Sequence, residues 1–175
     1  MSSVEKIAGE LRALSAGVET AHGLVAAIDK QAQGVALRAT AAGFLTVAAG
    51  VAQIRDAIGT VRAGLVGLAG SSGAAVAACA AASRQGTPEE TIAGLASVRD
   101  AVEAARNAAT AAIERVGETQ QLVAAVLRGG DPGPLLSGLG VIREVLVLLT
   151  QRAGALTQLV EAASIEAGKL GAVGN

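Results

Sequence analysis

His22 is the only histidine and Cys79 the only cysteine in the 175-residue chain, so groups able to move a proton or hold a transition metal near neutral pH are nearly absent. A zinc or iron site needs several His, Cys or carboxylate ligands at short spacing, and no such cluster forms around either residue. His22 reads as a solvated or packed residue of an Ala-rich helix, and no group is placed to orient it for activating a serine. Cys79 reads as a small apolar residue of a helix; an intermolecular disulfide is the sharper alternative. Glu89-Glu90 follow Thr87-Pro88 and read as the first turn of a helix, where acids favour the positive end of the helix dipole, rather than as a catalytic carboxylate pair. No phosphate-cradling G-x-x-x-x-G-K-[ST] loop occurs. The glycines lie within helical pattern, not between a strand and a helix, which excludes a dinucleotide fingerprint. The expectation is a non-enzyme with no catalytic residue, no cofactor, no metal and no small-molecule substrate.

The most regular polar residues are arginines. Arg55, Arg62, Arg99, Arg106 and Arg143 each follow the second core position of a heptad, an e-type flank where charge selects partner and register. They are candidate partner-interface residues, with Arg55 and Arg99 placed to meet acids on a facing helix. The plainer alternative is a solvated flank whose aliphatic stems lie over the Ala-rich seam.

Elements that present these arginines follow from a repeat. Gly43–Asp56, Thr87–Asp100 and Asp131–Glu144 align without gaps, each 44 residues after the last, matching Gly50, Gly94 and Gly138, then Arg55, Arg99 and Arg143. The N-terminal segment fits loosely as a fourth copy. The chain is therefore expected to be one helical-bundle domain over 1–175, in units of roughly 1–42, 43–86, 87–130 and 131–174. Each unit carries an apolar seam whose spacing alternates three and four. The first runs from Val4 through Ile7 and Leu11 to Val35. The second runs from Phe44 through Val51 and Ile54 to Leu68. The third runs from Leu95 to Val126 and the fourth from Leu135 to Ala163. Such a period predicts long helices packed along left-handed seams. Short polar breaks between equal units favour antiparallel neighbours. The fold expected is all-α, an up-down-up-down four-helix bundle, with two opened hairpins as the competing arrangement.

Composition agrees with helix and thins the core. Half the residues are apolar (51%), mostly Ala, Val and Leu, with 23 Gly besides and Phe44 the sole aromatic. Gly67, Gly70 and Gly73 lie inside the second unit, and each costs about 1 kcal/mol against Ala in a helix interior. A break is expected near Gly70–Gly73, both hinge candidates, followed by a short helix over Ala74–Ser83. A frayed tail is expected over Gly168–Asn175.

A net charge of −1 and the absence of a basic run argue against nucleic acid. Ala63–Ser83 is uncharged and long enough for a membrane span, but its Gly, Ser and Ala content disfavours one. The start, Met1-Ser-Ser-Val-Glu-Lys-Ile, is not a secretory signal, so the protein is expected in the cytoplasm or exported without a cleavable signal peptide. The segment Val4–Leu68, with its run GFLTVAAGVAQIRDAIGTVRAGL, resembles small Ala-rich helical proteins of actinobacteria. More distantly it is similar to the helical-hairpin proteins exported by type VII (ESX-like) secretion, the WxG family. The resemblance covers about the first 80 residues and rests on composition and helix layout. It implies a helical hairpin and a secretion-associated substrate or chaperone. The chain has neither Trp nor Tyr, so it lacks the family's Trp-x-Gly turn and Tyr-based export signal, and no functional residue carries over. Three functional expectations follow: a helical interaction or scaffold protein that self-associates or binds a protein partner, a type VII-associated protein, and a membrane-active bundle that opens.

Overall fold

The structure is a computed structural model that describes residues 2–84 and 86–173. Four helices follow one another: α1 (Ser3–Ala41), α2 (Leu45–Ala82), α3 (Pro88–Val126) and α4 (Gly133–Val173). One helix falls in each of the four sequence units. Each helix packs on its chain neighbour, and α4 returns to α1, so the four form an up-down-up-down ring.

Local chemistry sets the helix ends. Ser2 caps α1 by a capping box: its Oγ accepts from the Glu5 backbone N–H at 3.2 Å, and its own N–H donates to Glu5 Oε2 at 2.7 Å. Thr87 caps α3 by accepting from the Glu90 N–H, with Pro88 in the first turn. α1 ends where Gly43 takes a φ of +81°. That conformation lets the Phe44 N–H reach the Ala39 carbonyl at 2.8 Å, and it is open to glycine at little cost. Gly129, at φ +85°, closes the end of α3 in the same left-handed region.

Burial follows the three-and-four spacing closely. On α1, Ile7, Leu11, Leu14, Val18, Ala21, Val25, Ile28 and Ala32 are buried, while Val4 and Val35 are half-buried. On α4, all nine seam residues from Leu135 to Ala163 are buried. The α3 contribution is thin in the middle, where Ala105, Ala109 and Ala112 fill the seam. Among the described residues, the buried polar side chains Ser72 and Thr119 donate to carbonyls of their own helix, at Leu68 (3.0 Å) and Arg115 (2.8 Å). Neither therefore leaves an orphaned group in the core.

Three sequence expectations are corrected. No break occurs near Gly70–Gly73, and α2 is one helix to Ala82. The seam continues past Leu68 through Ser72, Ala75, Cys79 and Ala82, all buried. Packing of that face outweighs the propensity cost of Gly67, Gly70 and Gly73, which lie together on the solvent side. Gly70 and Gly73 are thus exposed positions within a continuous helix. The expected fray is also absent up to Val173, because α4 continues there; Gly174 and Asn175 lie outside the described residues. Finally, Phe44 does not head the α2 seam. It caps the helix start and is 64% exposed.

Other glycines are needed for close approach. A Cβ on Gly138 would collide with the Ile28 side chain, and one on Gly50 would stand 2.5 Å from Val126 Cγ1. Both glycines are matched positions of the sequence repeat, and each receives a branched side chain from the next helix. Gly138→Ala gains about 1 kcal/mol of helix propensity but forces about 1–3 kcal/mol of overpacking. A net loss of stability of up to about 2 kcal/mol is expected from these opposing terms. Chemical denaturation should detect it, and Ile28→Val should recover part of it in the double variant. Additive losses would refute the contact.

Candidate interaction surfaces

The e-flank arginines divide into two groups. Arg55 and Arg62 lie one heptad apart on α2 and converge on Asp29 of α1. Arg55 Nε donates to Asp29 Oδ1 at 3.0 Å, and Arg62 Nη2 donates to Oδ2 at 3.3 Å. Asp29 is itself an e-flank residue, following the buried Ile28, so two e flanks meet across the α1–α2 groove. The Arg55 hydrogen bond, more than its charge alone, holds the Asp29 carboxyl below the usual carboxylate range; Arg62 adds to this and partial burial opposes it. Arg55 is held correspondingly above its ordinary value, first by the same bond.

Arg99, the equivalent residue on α3, pairs only with its neighbour Asp100 at 3.2 Å. It lines a groove of about 370 Å³ between α3 and α4, together with Ile92, Val160, Glu161 and Ser164. Beyond Arg143, the α4 e-flank residues are Thr150, Thr157 and Ser164, whose hydroxyls turn back to carbonyls of their own helix. No counterpart of Asp29 stands among them. Arg106 and Arg143 make no ion pair among the described residues. The structure thus joins Arg55 and Arg62 into one cluster and leaves Arg99, Arg106 and Arg143 apart.

Because the Asp29 pKa is depressed in the fold, its contribution to stability is present above the unfolded value of about 3.9. It disappears as pH falls through the lower folded value. Asp29→Asn should lower the melting temperature by roughly 1–3 °C at pH 7, small because both arginines are largely solvated. The difference from wild type should shrink as pH falls below about 3.9 and vanish once the carboxyl is protonated in the folded state. A gap that persisted there would show that packing, not charge, was lost.

One further ion pair and one hydrogen bond join α1 to α4 and have no signal in the sequence pattern. Arg152 of α4 meets Glu10 of α1 at 3.4 Å, and Ser3 donates to Glu166 at 2.7 Å. Both need the α1–α4 register, which no local pattern encodes.

A larger unread feature is the outward side of α4. Val141, Val145, Leu148, Ala155, Leu159 and Ala162 repeat at three-and-four spacing, offset from the buried seam, with only Arg152 interrupting; Val145 is half-buried against the core and the other five are exposed. Leu148 is 63% exposed, and Val141 and Leu159 are also exposed. Arg143, Glu144, Val147 and Leu148 bound a shallow depression of about 410 Å³ on the same helix. A second apolar stripe beside a buried seam exceeds what packing inside one bundle requires of a helix. Cys79 offers no comparable surface. It is buried, its Sγ faces the Val4 carbonyl at 3.8 Å, and burial pushes its thiol above the ordinary range. Such a thiol is a poor nucleophile and a poor disulfide former.

Among the described residues, no group of three or more His, Cys, Asp or Glu side chains could hold a metal ion. No curated protein matches the chain. Residues 86–172, which make up nearly all of the α3–α4 hairpin, match a family of unknown function (DUF6244). The half of the chain that carries the outward apolar stripe is therefore the half similar to that uncharacterised family.

Proposed function

We propose that the protein is a non-enzymatic interaction or scaffold module whose α4 outer stripe packs against a helix of a second copy or of a protein partner. The observation that carries this reading is the stripe Val141, Leu148, Ala155, Leu159 and Ala162, exposed at helical spacing on either side of the half-buried Val145 while every residue of the α4 inner seam is buried. Burying a Leu-sized side chain contributes about 1.5–3 kcal/mol, so a few such residues sustain reversible helix docking. Sedimentation over a range of concentrations tests self-association, and capture from host extract tests a partner. Leu148→Glu with Leu159→Glu changes exposed residues, so the fold should survive while assembly and specific capture are lost. Unchanged assembly and capture in that variant would end the reading.

A second reading is favoured by a specific observation. α2 and α4 are each long and apolar enough to cross a membrane, and only 33% and 28% of their most apolar stretches are buried within the bundle. In this reading the bundle opens on a bilayer and turns those helices outward. Failure to float with liposomes of any charge would remove it. Export alongside type VII substrates rests on the helical-hairpin layout of α1–α2, and blotting culture fluid of the host tests it.

A further inference from the structure

The two hairpins are not flush. Gly138 of α4 packs on Ile28 of α1. Five residues before Gly138 on the antiparallel helix is five residues after Ile28, so the start of α4 at Gly133 stands level with about residue 33. α1 continues to Ala41, roughly two turns or about 12 Å beyond. The tip of the α1–α2 hairpin therefore overhangs the α3–α4 loop, and the step beneath it is a cleft of about 810 Å³. That is within the range of about 300–1,000 Å³ usual for small-molecule sites.

The cleft has a consistent chemistry. Val35, Ala39 and Val47 form the overhanging wall, and Leu127, Pro134 and Leu135 form the floor. Lys30 and Arg38 are its cations. Arg38 folds back along the wall, with Nη1 3.4 Å from where a Cβ on Gly34 would lie. Neither cation makes an ion pair among the described residues. The one acid, Asp131, already accepts from the Gly133 N–H at 3.3 Å. Phe44 stands at the mouth, and three strongly exposed large apolar side chains, Leu37, Phe44 and Leu45 at 64–68%, gather at this tip.

The geometry points to a site for one amphipathic anion, and we propose that it binds a free long-chain fatty carboxylate. The acyl chain lies on Val35, Val47, Leu127 and Leu135, and the carboxylate meets Arg38 and Lys30, where charge-assisted hydrogen bonds replace those to water. A cationic or uncharged chain of the same length gains the apolar contact but not the anchor. The cleft is separate from the α4 stripe, so neither proposal depends on the other.

The chain has no Trp or Tyr, so Phe44→Trp places a single indole at the mouth as a reporter. Titration of that full-length variant with oleate, below the concentration at which oleate aggregates, should give a saturable blue shift. Calorimetry on the wild-type protein should give one site. Arg38→Glu should weaken binding about tenfold or more, and Leu135→Gln, if folded by circular dichroism, should do the same. Lys30→Glu is a second, surface variant with the same expected direction. Oleylamine should not saturate the site. Absence of saturable oleate binding, binding indifferent to Arg38→Glu and Lys30→Glu, or a response only to anionic phospholipid vesicles would each overturn the proposal.

Discussion

Replacing Gly67, Gly70 and Gly73 together with alanine should raise the melting temperature by roughly 5–10 °C. The three glycines are exposed on one side of α2, and a Cβ on any of them would meet nothing within 4 Å. None has a positive φ, so alanine fits each without backbone strain. Each substitution then collects the full difference in helix propensity, about 0.8–1.0 kcal/mol, largely by reducing the freedom of the unfolded chain. Three such gains come to about 2–3 kcal/mol, and for a chain of this length each kcal/mol shifts the midpoint by about 2–4 °C. Thermal melts followed by circular dichroism at 222 nm read the effect directly. A lower midpoint, or none of the gain, would mean that this part of α2 is not helical in solution. If function requires α2 to bend or open there, the same variant should separate stability from activity, since it stiffens the helix without touching any buried contact.

The second large effect lies two residues apart on α4. Leu146 is fully buried, whereas Leu148 is 63% exposed. Leu146→Ala removes a core side chain and leaves a cavity that the neighbouring helices fill only in part, at a cost of about 2–5 kcal/mol. Leu148→Ala should change folding stability by no more than about 0.5 kcal/mol, yet it should weaken any assembly that uses the outer stripe. Urea denaturation of both variants, paired with sedimentation, distinguishes the two faces. Similar losses of stability at the two positions would mean that α4 is rotated from its described register, and the outer stripe would then be part of the core.

The inner seams were legible because large apolar residues mark them. Every α4 seam residue from Leu135 to Ala163 is buried where the three-and-four spacing places it. The signal faded where side chains shrink. Beyond Leu68 the α2 seam passes through Ser72, Ala75 and Cys79, whose burial cannot be told from composition when the opposite face is equally small. Glycines on that opposite face then looked like a break, although the glycine cost falls on a face that does not pack. Thr119 was missed on α3 for the same reason, since a polar residue satisfied by its own helix leaves no trace in an apolar pattern.

The e-flank position of Arg55 and Arg62 was readable, but their shared partner Asp29 was not. Pairing residues 26 and 33 apart in sequence requires the register of one helix on another, and the loop between α1 and α2 sets that register. The overhanging cleft is less legible still. It arises from unequal helix limits, at Ala41 and Leu45 on one hairpin and Val126 and Gly133 on the other, and from no motif at all.

The ring of contacts described for the fold also sets an order of assembly. Three of its four interfaces, α1–α2, α2–α3 and α3–α4, join helices linked by short loops, so each can close at small entropic cost as the chain becomes available. The α1–α4 interface is different: it brings together residues separated by most of the chain, such as Glu10 and Arg152 or Ser3 and Glu166, and it is the sparsest of the four. It is therefore the last interface to gain from the others and the least costly to give up. A chain that had completed its three local hairpin contacts would exist as an open row of helices, with the inner seams of α1 and α4 facing water. In that state a second copy would offer each of those seams the same surface as the opposite end of its own chain, so slowing ring closure is expected to favour exchange of halves between chains.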